Sequence, residues 1–121
     1  VILGSTHKSL YPKMANFGSF IKNHRESKGW TQTELGAKVG INSSAISRIE
    51  NNTKQFSISK LDLLASIFEV ESVKVKELFY ADKFAREAFE SGCPDTVFYI
   101  AVETVKYLKA KNSKQGQLKL V

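Results

Sequence analysis

The sequence has few of the residues that build disulfide-stabilised, disordered or membrane-spanning proteins. It contains one cysteine and two prolines among 121 residues, so it cannot form an internal disulfide, and a reducing compartment suits it. The longest uninterrupted apolar run extends only from Val97 to Val102, whereas a membrane-spanning helix needs about 20 residues. The apolar start turns polar at once, unlike the apolar core of a signal peptide. We therefore expect a cytoplasmic protein of about one domain with no membrane segment.

Motifs of common catalytic and metal sites are also missing. The sequence has no Gly-rich phosphate loop, no HExxH and no GxSxG motif. His7 and His24 lie far apart with no cysteine pair near them, and Cys93 has no basic or histidine neighbour that would favour a thiolate. The carboxylates of the second half alternate with lysines, which is typical of solvated helix faces. We predict no enzymatic activity, no cofactor and no metal site.

Positive charge is concentrated in the first half of the chain. Lysine and arginine number 18 against 12 aspartates and glutamates, which gives a net charge of +6. Residues 1–60 carry nine basic and three acidic residues, whereas residues 61–121 carry nine of each. Two explanations fit this distribution: an N-terminal half that faces a polyanion, and ordinary charge for solubility.

The spacing of apolar residues predicts an all-α chain. Phe17, Phe20 and Ile21 recur at helical spacing in a first helix that should end near Lys28-Gly29. We expect residues 1–15, which show no lasting period, to be a leader that is poorly ordered or foreign to the native protein, since Met14 is a candidate native start.

Helix-capping signals divide the next segment into two short helices. Thr31 and Glu34 have the spacing of a capping box at the start of the second helix. Gly40 can end that helix in a left-handed turn, and Asn42 can cap the third helix. The third helix should end at Asn51-Asn52, because asparagine tolerates the left-handed conformation.

Three further helices complete the predicted chain. Ser57 or Ser59 should cap the fourth helix, and Ser72 should cap a fifth that runs on through Phe89. Asp95 is the expected cap of the last helix, and the basic tail after it should be frayed. One side of this last helix carries an apolar stripe: Phe98, Ala101, Val102, Val105 and Leu108.

The second and third helices form the segment that indicates a function. Two helices joined by so few residues must cross steeply and approach closely, which the small residues Gly36 and Ala37 allow. With Ile46 and Ile49 facing inward, the outward face of the third helix offers short hydrogen-bonding side chains and one guanidinium: Ser43, Ser44, Ser47, Arg48 and Asn51. Because an α-helix fits the DNA major groove and arginine reads the guanine edge, we predict a DNA-recognition helix.

The segment TQTELGAKVGINSSAISRIEN, preceded by FIKNHRESKGW, resembles the helix-turn-helix domain of the lambda-repressor/Cro-like (XRE-type) regulators. The resemblance covers about residues 17–80 and implies a five-helix DNA-binding domain at residues 16–80. It also implies an ion pair between Arg25 and Glu50 that joins the first helix to the third. The implied DNA contacts are base readers Ser43, Ser44, Ser47 and Arg48, phosphate contacts Gln32, Asn51 and Lys54, and the capping residue Asn42.

The sequence departs from the family pattern at two positions. Gly36 stands where the family usually has alanine, which preserves clearance at the helix crossing but costs about 1 kcal/mol of helix stability. Asn52 stands where the family favours glycine, and asparagine is the next-best residue for a left-handed turn. We expect neither change to alter the fold.

Residues 81–121 form a predicted C-terminal helical extension, which resembles that of short bacterial regulators encoded beside DNA methyltransferase and restriction genes. Its apolar stripe needs a partner, either its own domain or the same helix of a second chain. We expect a homodimer. Such a dimer would place two recognition helices about 34 Å apart, one turn of B-DNA, so we predict a near-palindromic operator in double-stranded DNA.

The sequence therefore predicts a transcriptional regulator, a repressor or autoregulator, with control of restriction-modification genes as a candidate role. The alternative is an antitoxin that represses its own operon and binds a protein partner through the C-terminal extension. A third possibility, an interaction module that has lost DNA binding, is disfavoured because the predicted reading face remains polar and basic.

Overall fold

The computed structural model describes the backbone of residues 16–120 and the side chains of residues 16–113. Within that range the chain is all-α, as predicted, and no strand occurs. The helices are α1 (Phe17–Ser27), α2 (Gln32–Val39), α3 (Ser43–Glu50), α4 (Leu61–Phe68), α5 (Ser72–Glu90) and α6 (Val97–Leu120), with a 3-10 turn at Ile58–Lys60. The chain divides into two compact units between Lys83 and Phe84. The predicted leader, residues 1–15, lies outside the described residues.

The core of the first unit is built by apolar side chains from α1 through α5. The ring of Phe17 in α1 lies 6.2 Å from Phe56 and meets Phe79 of α5 edge to face at 5.3 Å. The first part of α5 therefore packs in the same core as α1. The buried cluster contains Phe17, Ile21, Leu35, Val39, Ile46, Ile49, Phe56, Leu61, Leu64, Ala65, Phe68, Val75 and Phe79.

Helix α1 begins where three different segments meet. The N–H groups of residues 17–19 donate, in that order, to carboxylate or amide oxygens of Asp82 at 2.9 Å, Asn52 at 3.2 Å and Asn16 at 2.7 Å. The first N–H groups of a helix have no partner within the helix. Asn16 precedes α1, Asn52 follows α3 and Asp82 belongs to α5, so these three side chains fix the start of α1 against two other elements.

An aromatic cluster on α1 encloses a histidine. The ring centroid of His24 lies 4.6 Å from that of Phe20 and 5.1 Å from that of Phe68, with which it stacks. Desolvation in this cluster, together with the positive charge of Lys28, lowers the pKa of His24 below its ordinary value. Trp30, in the loop between α1 and α2, also stacks on the ring of Phe68, with ring centroids 6.2 Å apart.

Most of the predicted helix ends are confirmed. Left-handed conformations occur at Gly29 (φ 75°) after α1, at Gly40 (φ 71°) after α2 and at Asn52 (φ 63°) after α3. Asn42 caps α3 through its side chain. Helix α5 continues through residue 90, as predicted, but the cap predicted at Ser72 is wrong: Ser72 is the first residue of the helix, and the carbonyl of Glu71 before it accepts the Val75 N–H at 3.2 Å.

The caps predicted for α4 and α6 are wrong as well. Ser57 and Ser59 do not cap α4, because their hydroxyl groups bond to each other at 3.0 Å and the 3-10 turn separates them from Leu61, where α4 begins. Helix α6 begins at Val97, two residues after Asp95. Its backbone stays helical to residue 120, so the basic tail is not frayed in the described chain.

None of the helices in the described range has both the length and the apolar character that a membrane span requires.

Candidate nucleic-acid interface

Helix α2 begins at a complete capping box. The Thr31 hydroxyl accepts the Glu34 N–H at 3.0 Å, and the Glu34 carboxylate accepts the Thr31 N–H at 2.8 Å. These bonds lower the pKa of Glu34 below its ordinary value. The box was predicted from the spacing of the two residues, and it fixes Gln32 as the first residue of α2.

The turn between α2 and α3 is tight, and Gly36 makes it possible. The N–H of Ile41 donates to the Gly36 carbonyl at 2.9 Å. A Cβ on Gly36 would lie closer than 3.0 Å to the carbonyl oxygen of Ile41, a distance that real Cβ atoms essentially never show. The alanine that is usual in the family therefore does not fit here without a shift. The Nζ of Lys60 donates to the Val39 carbonyl at 2.6 Å and closes the end of α2.

Helix α3 has one buried and one exposed side. Asn42 caps it by accepting the Ala45 N–H at 2.8 Å, and its side-chain oxygen also accepts the Ser44 hydroxyl at 2.8 Å. The buried residues are Ala45, Ile46, Ile49 and Glu50. Of the predicted DNA contacts, Asn42, Ser43, Ser44, Arg48, Asn51 and Lys54 are exposed, and Ser47 and Gln32 are half-buried. The exposed side of α3 is therefore polar and carries a guanidinium.

Several basic side chains elsewhere in the first unit are neutralised. Three lysines form ion pairs with carboxylates: Lys28 with Glu69, Lys74 with Glu77 and Lys76 with Asp62. By contrast, within residues 16–113 the structure gives no acidic ion-pair partner to Lys22, Lys38, Arg48, Lys54 or Lys60. Of these, Lys38 lies over the Trp30 ring and Lys60 donates to the Val39 carbonyl. Arg48 lies on α3 and Lys54 follows it, so α3 and the loop behind it present uncompensated positive charge.

Glu50 is the one buried charged residue at the end of α3, and it is held by a network. Its carboxylate accepts Arg25 Nε at 2.6 Å and Arg25 Nη2 at 3.1 Å, and Arg25 Nη1 donates to the Trp30 carbonyl at 2.7 Å. The bond to Glu50 raises the pKa of Arg25 above its ordinary value. The two side chains thus make the contact that the family resemblance implies, and they join α1 to the end of α3.

Gln32 belongs to this network, which the sequence did not indicate. Its side-chain Nε2 donates to Glu50 Oε1 at 3.1 Å. The resemblance implies a phosphate contact for this residue. Because an amide nitrogen carries two hydrogens, one donor is left for a phosphate while the other holds Glu50.

The apolar stripe of α6 is exposed in the second unit. The exposed fractions are 40% for Phe98, 53% for Val102, 48% for Val105 and 50% for Leu108. Ala101, between Phe98 and Val102, is exposed as well. The stripe therefore exists as an open apolar surface on the described chain.

Part of the first unit is similar to known proteins. Residues 21–75 match the helix-turn-helix family. A 35-residue segment, 29% of this chain, is 46% identical to Antitoxin HipB of Escherichia coli O6:H1 (strain CFT073) and spans 37% of that protein's length. A chain in a solved structure of the SinR protein/SinI protein complex is 28% identical, with a TM-score of 0.44, over 78% of this chain and 98% of that one.

The family match runs from α1 into α5 and has the α2–turn–α3 segment near its centre. This is the segment whose capping box, glycine turn and polar outer face are described above. The family is one of DNA-binding domains rather than of enzymes. Residues 21–75 of this chain therefore match the helix-turn-helix family, with the α2–turn–α3 arrangement for which that family is named.

Proposed function

We propose that this protein is a sequence-specific transcriptional regulator, a repressor or autoregulator, that acts in the cytoplasm by occupying a promoter. The single observation that carries the proposal is the polar, exposed side of α3 and its uncompensated charge. Arg48 lies on that side without an acidic partner among residues 16–113. An arginine in this position can donate two hydrogen bonds to the guanine edge in the major groove.

The residues around Arg48 are suited to the same role. Ser43 and Ser44 are exposed in the first turn of α3, and serine hydroxyls bond to bases or to phosphates. Asn51 and Lys54, exposed just after α3, are suited to the phosphate backbone, which fixes the register of a protein on the duplex. Gln32 has a donor left for phosphate at the start of α2.

We propose that the regulator binds as a homodimer through the α6 stripe. Five apolar residues on one side of an exposed helix favour burial against a partner. Two recognition helices in a two-fold dimer would read two half-sites about 34 Å apart, so the operator would be near-palindromic. The link to restriction-modification genes remains a prediction from the resemblance.

Selection of bound duplexes from random DNA with the full chain tests this function. We expect a near-palindromic consensus that binds about 10³-fold or more tightly than a scrambled duplex at physiological salt. Affinity for both duplexes should fall between about 50 mM and 200 mM salt, because lysine and arginine contacts release counterions. Equal affinity for the selected and scrambled duplexes at every salt concentration would overturn sequence-specific regulation.

The match to Antitoxin HipB supports a second candidate function, an antitoxin that also represses its own operon. In that case the exposed α6 surface would bind a toxin. The test is co-expression with the product of the adjacent gene: an antitoxin forms a complex with that product and restores growth that the product alone arrests. A growth-neutral neighbour that does not bind the chain would rule this candidate out.

A further inference from the structure

We propose that α6 pairs with α6 of a second copy in the antiparallel direction, so that Asp95 of one copy lies beside Lys109 of the other. The inference rests on the homodimer of the proposed function and adds to it the direction of the two helices.

The apolar stripe of α6 is short. The stripe begins at Phe98 and ends at Leu108, a distance of about 15 Å along a helix that rises 1.5 Å per residue. Its members recur at the spacing of one helix face. Such a short stripe can be covered along its full length by an identical stripe, and a helix pair packs best when each layer across the contact is well filled.

Side-chain sizes differ along the stripe, and their order favours one direction of pairing. In a parallel pair, Phe98 would face Phe98 and the next layer would hold two copies of Ala101, so a wide layer would adjoin a narrow one and leave a void. In an antiparallel pair centred near residue 103, Phe98 faces Leu108 and Ala101 faces Val105. The layers are then evenly filled, and the small Ala101 lies near the crossing point, where close approach is needed.

The two ends of the stripe carry opposite charges. Asp95 lies just before Phe98 and Lys109 lies just after Leu108, and the structure gives neither an ion pair within residues 16–113. Elsewhere on α6, Lys106 pairs with Glu103 at 3.4 Å, whereas Lys111, two residues beyond Lys109, also has no ion pair within residues 16–113. The stripe is thus bordered by one free negative charge, Asp95, at its start and by two free positive charges, Lys109 and Lys111, at its end.

These charges distinguish the two directions. Parallel helices would place Lys109 against Lys109 and Asp95 against Asp95, and like charges at an interface are unfavourable. Antiparallel helices centred near residue 103 place each Asp95 near Lys109 and Lys111 of the other copy, twice in every dimer because of the two-fold symmetry. Charge complementarity therefore agrees with the packing of the stripe and identifies a second copy of this chain as its occupant.

The test is a charge-swap series in the full chain, measured by sedimentation equilibrium at low salt. Asp95→Lys and Lys109→Glu should each weaken the dimer about threefold to tenfold, the range that two exposed ion pairs contribute. The double variant Asp95→Lys/Lys109→Glu should return to within about twofold of the original dissociation constant. Glu103→Lys, which makes the same charge change as Asp95→Lys on the opposite side of α6, is the control and should leave dimerisation nearly unchanged.

Each other outcome overturns the proposal. A parallel pair predicts that neither single variant weakens the dimer, because each replaces one like-charge pair by another. A chain that stays monomeric, or that binds only a different protein through α6, also contradicts it. Operator selection with the same preparation separates the two failures, since a monomer can still discriminate a half-site from a scrambled duplex.

Discussion

The carboxylate of Glu50, the last residue of α3, lies 2.6 Å from Nε of Arg25 in α1, and the exposed fractions of the two side chains are only 2% and 11%. A charge in this setting is stable only with its counter-charge and hydrogen bonds in place. The pair therefore fixes the end of the recognition helix against α1.

We expect Glu50→Ala to lower the free energy of unfolding by about 3–5 kcal/mol, because the Arg25 guanidinium then remains nearly buried without a counter-charge. The double variant Arg25→Met/Glu50→Leu should lose much less, since no charge is left behind. Urea unfolding followed by circular dichroism measures both, with the exposed Glu71→Ala as control. A single variant as stable as the control would contradict this account of the pair.

Gly36→Ala should destabilise the protein, although alanine favours a helix by about 1 kcal/mol over glycine. The added Cβ would meet the Ile41 carbonyl and push α3 away from α2, at a net cost of about 1–3 kcal/mol. Operator affinity should fall as well, because the position of α3 changes. Ala37→Gly, on the exposed side of the same helix, should cost no more than about 1 kcal/mol and leave affinity unchanged. A Gly36→Ala protein more stable than the original would show that the crossing has room for a methyl group.

His24 should make stability depend on pH just below neutrality. Its pKa in the folded protein is lowered from 6.5, first by desolvation and then by Lys28, so the folded state binds fewer protons than the unfolded state. The free energy of unfolding should therefore fall as the pH decreases through 6.5 towards the folded-state pKa. Urea midpoints measured above and below 6.5 should differ less in His24→Gln. His7→Gln is the control, and an unchanged pH dependence in His24→Gln would exclude His24 as its source.

Arg48 and Lys54 should affect DNA binding in different ways. Arg48→Ala is expected to cost about 1–3 kcal/mol and to relax the preference at one base position. Lys54→Ala should weaken binding to all sequences alike and reduce the salt slope by about one. Fluorescence anisotropy with the selected and scrambled duplexes distinguishes them. Lys74→Ala, which removes a lysine already paired with Glu77, should change neither quantity; if it acts like Lys54→Ala, net charge alone explains the lysine effect.

Features that depend on neighbouring residues could be predicted from the sequence. The capping box of Thr31 and Glu34, the left-handed Gly40 and the Asn42 cap each involve residues within one helical turn. Local hydrogen bonds of this kind depend on residue type and spacing, which the sequence displays directly. The incorrect cap prediction at Ser57 also has a local cause, because the hydroxyl groups of Ser57 and Ser59 form a hydrogen bond with each other.

Contacts between distant residues were not predicted, apart from the Arg25–Glu50 pair that the family resemblance implies. Gln32 and Glu50 are 18 positions apart, and Lys60 reaches a carbonyl 21 positions away. Such contacts depend on how α2, α3 and α4 pack together. The hydrophobic pattern predicts which helix faces pack against each other, but it does not predict which polar side chains form hydrogen bonds. The surface of α3 could be predicted, whereas the network beneath it could not.

The capped start of α1 has a consequence for amide exchange. Amides in the first turn of a helix ordinarily exchange readily with solvent, because they lack intrahelical partners. Here the amides of residues 17–19 are held by Asp82, Asn52 and Asn16. Exchange at Phe17 therefore requires its bond to Asp82 of α5 to open, and exchange at Gly18 requires its bond to Asn52, in the loop after α3, to open. The exchange rates of these two adjacent amides therefore report separately on the contact of α1 with α5 and on its contact with the loop after α3.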